Sequence, residues 1–167
     1  GETGQTALVL DMMQYGAALS SLQFFSTAAD KFTWRDIRDG IYGQTMVLRE
    51  PVGVVGAVAA WNVPLFLACN KLGPALLAGC TVVLKPAAET PLSVNALAEV
   101  FAEAGLPEGV LSVVPGGAET GRALTANPDI DKYTFTGSSV VGKEVGKIAA
   151  EKLKPCTLEL GGKSAAI

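Results

Sequence analysis

Apolar residues recur every three or four positions from Leu8 through Met12, Tyr15, Leu19 and Leu22 to Phe25 or Ala29, a period that predicts one long helix over residues 4–31. From Trp34 to Arg49 that period is lost. The stretch is polar and turn-rich at Asp39-Gly40 and Gly43, then extended from Thr45 to Leu48, which predicts a linker or an edge hairpin. Beyond Pro51 short apolar runs alternate with helical patterns. Strands are predicted over 52–59, 81–84, 110–114, 132–136 and 157–160. Helices are predicted over 64–78, 91–104, 119–126 and 138–152; Pro64 opens the first, Pro74 is expected to kink it, and Gly79 and Gly105 close the first two. Strands alternating with helices of this length imply an α/β fold, a right-handed parallel sheet covered by helices on both faces. The chain divides accordingly into a helical part (1–34), an extended linker or hairpin (35–50) and a βα core (51–167).

Composition narrows the classes of function. A chain of 167 residues is long enough for a substantial core. Only 17% of residues are charged and the net charge is −3, with basic residues scattered, which argues against a nucleic-acid partner. No apolar run reaches the roughly 20 residues of a membrane-spanning helix, and no basic segment precedes an apolar one at the start. The three cysteines, Cys69, Cys80 and Cys156, lack metal spacing, and there is no histidine, so no metal site and no Ser-His-Asp triad is expected. A cytoplasmic, reducing setting fits this best. Both ends, Gly1 and the apolar run after Gly161-Gly162 that reads as the start of a new strand, have the look of cuts, so a fragment is expected.

Ligands of a parallel sheet bind beyond the carboxyl ends of its strands. The residues there are Trp61-Asn62, Lys85-Pro86, Pro115-Gly116-Gly117, Gly137-Ser138 and Gly161-Gly162. The turn Phe135-Thr136-Gly137-Ser138 opens a helix and offers free N–H groups to an anion, although an ordinary capped helix reads the same way. No G-x-G-x-x-G is present. Lys85 reads either as a ligand or as a solvated strand-end charge, and Asn62 as a ligand or a helix cap. Glu159 is more telling, because a carboxylate within the apolar run Thr157-Leu158-Glu159-Leu160 is costly unless paired, exposed or functional.

Taken in order, Pro51-Val52-Gly53-Val54-Val55-Gly56, Trp61-Asn62-Val63-Pro64-Leu65, Leu84-Lys85-Pro86 with Thr90-Pro91-Leu92, Phe135-Thr136-Gly137-Ser138 and Leu158-Glu159-Leu160-Gly161-Gly162-Lys163 make the chain resemble the aldehyde dehydrogenase superfamily over essentially its whole length. The resemblance implies an incomplete Rossmann-like cofactor domain. In that family a cysteine thiolate attacks a small-molecule aldehyde, a hydride passes to NAD or NADP, and water hydrolyses the thioester to the acid. Glu159 resembles the general base, with its carboxyl expected to be raised towards neutrality by apolar surroundings. Asn62 resembles the side-chain amide of the oxyanion hole. Lys85 resembles the lysine on the adenosine ribose and Ser138 the serine on the pyrophosphate, with Gly137 and Gly142 permitting close approach. Leu160 and Gly161 are expected near the nicotinamide, and Trp61 and Gly116 complete the cofactor side.

Two departures stand out. Ala88 occupies the position where many NAD-preferring members carry a glutamate, with the acid at Glu89 instead, which leaves NADP use open beside NAD. The family's nucleophilic cysteine follows the glutamate motif, beyond this chain, and none of Cys69, Cys80 or Cys156 is expected to replace it. The resemblance further implies a homodimeric or homotetrameric parent, paired in part through the segment near 35–48. The isolated chain is expected to bind dinucleotide weakly, to turn over no aldehyde, and to associate through an exposed sheet face. The alternative is an inactive nucleotide-binding module or a truncated relic.

Overall fold

A computed structural model describes residues 1–163. The helical run begins at α1 (Ala7–Val9), widens into a π-helical stretch (Leu10–Gly16), continues as α2 (Ala17–Ala28) and tightens into a 3-10 turn (Ala29–Lys31). The expected single α-helix is therefore interrupted, and of its expected apolar stripe only the end, Leu22 and Phe25, turns inward. Leu8, Met12 and Tyr15 are each more than 60% exposed, while Gln14 and Ala18 are buried and Leu22 packs on the core. Leu22 lies on the stripe that continues from Gln14 and Ala18 at four-residue steps, and that stripe is the one α3 covers.

The strands β1 (Arg35–Gly40) and β2 (Gly43–Leu48) form an antiparallel hairpin with Arg35 opposite Leu48. After it come β3 (Val54–Val58), α3 (Pro64–Leu77), β4 (Thr81–Lys85), α4 (Leu92–Glu103), β5 (Leu111–Val113), α5 (Ala118–Ala126), β6 (Lys132–Thr136), α6 (Ser139–Glu151) and β7 (Cys156–Glu159). Pro64 supplies the preset φ and the missing N–H that a first helical turn tolerates, and α3 runs on past Pro74. The sheet is parallel throughout, in the order β5-β4-β3-β6-β7. The expected strand beginning after Gly161 falls largely on 164–167, outside the described residues.

Alternation along each strand sorts the core into two layers. Val55, Ala57, Val82 and Leu84 point to one face and pack with Ala68 and Leu72 of α3 and Val94 and Leu97 of α4. Tyr133 and Phe135 point to the other and pack with Leu124 of α5 and Val145 and Ala149 of α6. Helices thus cover both faces of the central strands, while Thr157 and Glu159 of β7 point to a face left open, which confines the expected exposed sheet face to that edge. Exposed apolar surface lies instead on the first helical run and on the hairpin, where Ile37, Met46 and Leu48 are each about half exposed. Among the described residues no helix is long and apolar enough to cross a membrane, and no cluster of metal-ligating side chains is found.

Candidate functional site

The chain leaves β3 towards one neighbour, β4, and returns to the other, β6, so the strand order reverses between β3 and β6. At the carboxyl end of such a switch point two helices diverge and leave a crevice. A cleft of about 1130 Å³ opens there, lined by residues that follow every strand but β5 directly, and by the start of α5.

The loop after β3 brings Trp61 and Asn62 to this cleft. Thr90, fully buried before α4, donates its hydroxyl to the Trp61 carbonyl at 3.3 Å. The Asn62 carbonyl accepts from Gln5 Nε2 at 2.8 Å and from Gln14 Nε2 at 3.3 Å. Both backbone oxygens are occupied, and the Asn62 side chain is solvent-exposed at the cleft wall.

The turn after β4 carries Lys85, which is 6% exposed, with its stem 3.7 Å from where a side chain on Gly121 of α5 would begin. Its Nζ donates to the Pro86 carbonyl at 2.9 Å. Burial pushes the ammonium below the usual lysine range and the nearby Glu89 carboxylate opposes that shift. Ala88 and Glu89 are exposed at the cleft's rim.

Beyond β5, Gly117 and Ala118 line the cleft where α5 begins, whereas Gly116 does not. Gly116 has φ +153° and no room for a side chain beside Thr120, so it shapes the turn that presents its neighbour. After β6, Gly137 and Ser138 both line the cleft. Ser138 is the N-cap of α6, its Oγ accepting from the Val141 N–H at 3.3 Å, and the N–H groups of Ser139 and Val140 stay outside the helical ladder. A Cβ on Gly137 would stand 2.6 Å from the Phe135 ring. Gly142 is buried outside the cleft lining, where it leaves space for the Leu160 side chain.

The last strand ends the site with Glu159, Leu160 and Gly161, all lining the cleft. Glu159 is exposed, one of the three alternatives the apolar run left open: it points to the face opposite Leu158, which is uncovered at β7, an edge strand with β6 as its only sheet neighbour among the described residues. Its ladder partner is Thr136. There the structure adds a residue that the sequence reading passed over. Lys71 of α3 is 8% exposed, and its Nζ donates to Thr136 Oγ1 at 2.9 Å and to Thr134 Oγ1 at 3.2 Å. Burial pushes its pKa down to about 8 against the attraction of Glu159. The signal was present: Lys71 sits on the stripe Ala68, Leu72, Ala75, where a charge has no place unless it is held.

The cysteines stand apart from this arrangement. Cys69 is buried in α3 with its thiol pushed up to about 11 by burial, and Cys80 is buried before β4. Cys156 opens β7, at the opposite end of the strand from Glu159, with its thiol raised by burial against the pull of Lys132.

A parallel sheet in this order, with its crevice at the switch point and two helix starts facing into it, is a Rossmann-like nucleotide-binding architecture. The model of the aldehyde dehydrogenase family matches residues 1–167, and the chain belongs to that family. It is 44% identical over 167 residues to geranial dehydrogenase of Castellaniella defragrans, covering 99% of this chain and 35% of the relative. It is 47% identical over 152 residues to an NADP/NAD-dependent aldehyde dehydrogenase of Escherichia coli, covering 90% of this chain and 31% of the relative. The crystal structure of Mycobacterium tuberculosis aldehyde dehydrogenase complexed with NAD+ matches with a TM-score of 0.96 at 70% identity, over 98% of this chain and 34% of that one. The chain spans about a third of the length of these relatives.

Proposed function

We propose that the chain is the NAD(P)-binding part of an enzyme that oxidises an aldehyde to a carboxylic acid, and that it contributes the cofactor site, an oxyanion donor and a general base. The observation that carries this is the meeting of Asn62, Lys71 and Glu159 in one cleft with Lys85 and the starts of α5 and α6. Nucleotide binding alone has no use for an amide and a carboxylate at the same mouth.

The lining fits a dinucleotide. The first-turn N–H groups of α6 and the small residues Gly117 and Ala118 suit a pyrophosphate, and Lys85 beside Ala88 suits a ribose with or without a 2′-phosphate. When bound, NAD or NADP accepts the hydride. Asn62 Nδ2 donates to the aldehyde oxygen as it gains charge on thiolate attack. Glu159 takes a proton from the water that hydrolyses the thioester, and Lys71, bonded to Thr136 on the neighbouring strand, holds positive charge near it. The nucleophile is supplied from outside these residues, since Cys69 and Cys80 are buried and Cys156 lies at the far end of β7. In the assembled parent, a homodimer or homotetramer, the exposed hairpin β1–β2 is offered to a neighbouring subunit.

The test is aldehyde-dependent NADH or NADPH formation by the full-length protein. Glu159→Gln is expected to lower kcat by about 100- to 10,000-fold while cofactor affinity holds. Lys85→Ala combined with Ser138→Ala is expected to weaken dinucleotide binding. Unchanged turnover in Glu159→Gln removes the base assignment, and tight binding retained by the double variant removes the cofactor site.

A further inference from the structure

Gln14 is 6% exposed and belongs to the π-helical stretch, yet it spends both ends of its amide on a loop 48 to 51 residues away in sequence. Its Oε1 accepts from the Leu65 N–H at 3.2 Å, and its Nε2 donates to the Asn62 carbonyl at 3.3 Å and to Gln5 Oε1 at 3.1 Å. The orientation is forced. A backbone N–H only donates, so the oxygen of Gln14 faces Leu65 and its nitrogen faces the two oxygens. Gln5 is fixed in turn: its Oε1 takes Gln14 and the Thr3 hydroxyl at 3.3 Å, which turns its Nε2 to Asn62.

These bonds sit where α3 has no cap of its own. The N-cap is Val63, which has no side-chain acceptor to give, and its φ of −137° and ψ of 61° belong to no regular element. Pro64 follows with no N–H, so Leu65 is the first residue of the helix with a proton to satisfy, and Gln14 satisfies it. The same amide grips the carbonyl of Asn62, three residues earlier, and so spans the non-helical loop. A wide helical turn re-aims its side chains relative to an α-helix, and such turns recur at functional sites.

We infer that Gln14, assisted by Gln5, is the positioning residue for the Asn62 amide: it sets the peptide at Asn62 and thereby where Nδ2 points in the cleft. This rests on the reading of Asn62 as oxyanion donor. Displacement of a donor by about 1 Å costs on the order of 100-fold in rate, without any contact to the substrate being lost.

The experiment uses the full-length enzyme and four variants: Gln14→Met, Gln5→Met, Asn62→Ala, and Asn62→Ala with Gln14→Met. Gln14→Met is expected to lower kcat by about 10- to 100-fold with KM for aldehyde and the affinity for NAD changed less than about 2-fold. In the Asn62→Ala background the same change is expected to lower kcat less than about 2-fold further, since its effect passes through the amide already removed. Equal losses in both backgrounds mean a general structural role and overturn the inference, as does wild-type kcat in Gln14→Met. If Asn62→Ala itself keeps full turnover, the oxyanion reading falls first and the inference with it. Should Gln14→Met not fold, Gln5→Met is read by the same criteria, an unaffected kcat counting against the inference.

Discussion

Helices α3 and α6 start beside each other at the switch point, and they are tied down in opposite ways. The start of α6 is local: Ser138 caps the N–H of Val141, three residues on, and Gly137 turns the chain tightly against Phe135. The start of α3 is remote: its N-cap is an uncapping valine, and Gln5, Gln14 and Thr90 hold the loop from three other parts of the chain. On the proposed function the two starts do different work. A turn that offers only backbone N–H groups to an anion needs no more than its own short sequence. A turn that must aim a side chain needs its peptide planes fixed in space, and that takes braces from outside.

The sharpest test of how the two starts are joined concerns Lys71, which reaches from α3 to Thr134 and Thr136 of β6. Its pKa in the folded chain is about 8 against 10.5 for the free group. Between those values the unfolded chain holds the proton and the folded one has shed it. Stability therefore rises with pH through that window, by on the order of 3 kcal/mol for a shift of this size. Below pH 8 the cost of burying the charge is fully present. Denaturation of wild type and Lys71→Met between pH 7 and 11 should show the wild type gaining on the variant as pH rises, and a flat difference would mean the ammonium is not held as described.

Ser138→Ala probes the local cap alone. It is expected to cost about 1 kcal/mol in denaturant unfolding. Restoring a cap with Ser138→Asp should recover most of that loss, and failure to do so would show that α6 too depends on distant groups.

Smallest is the effect expected at Gly142. A methyl there meets the tip of the flexible Leu160 side chain, not backbone, so Leu160 swings away. Helix propensity gains about 1 kcal/mol in the same change, and the net stability shift of Gly142→Ala should stay within about 0.5 kcal/mol. Because Leu160 lines the cleft, the change should appear as weaker dinucleotide binding at unchanged Tm. A large fall in Tm would place the tight contact in the core instead.

What could be read from the sequence divides along the same line. The alternation of β3 to β7 with α3 to α6 was legible because the strands are short runs of extended-forming residues, α3 and α4 close at Gly79 and Gly105, and α6 opens at a capping serine. The Gly137-Ser138 turn was legible because its cap is written in adjacent residues. The first helical run was misread because it carries apolar residues on more than one stripe, and periodicity alone does not say which stripe α3 will cover. Gln14 left no mark in the sequence, since a glutamine among exposed residues looks like surface until its partners, about 50 residues away, are known. Glu159 stood out as a carboxylate in an apolar run, but which of paired, exposed or functional applied was not legible, because edge position and the open face are properties of strand order and packing. Lys71 could have been found by the logic applied to Glu159.

The acidity of Lys71 also bears on the safety of the cleft. With a pKa of about 8, about one copy in ten carries a neutral amine at pH 7, against about one in a few thousand for an ordinary lysine. Neutral amines condense with carbonyl compounds to imines. Thr134 and Thr136 accept from the N–H groups and leave the lone pair unengaged, so only the surrounding packing, which leaves the residue 8% exposed, screens it from solutes entering the cleft. The threonines are thus a brace only, and the close packing of α3 against the sheet is what keeps the amine from reacting.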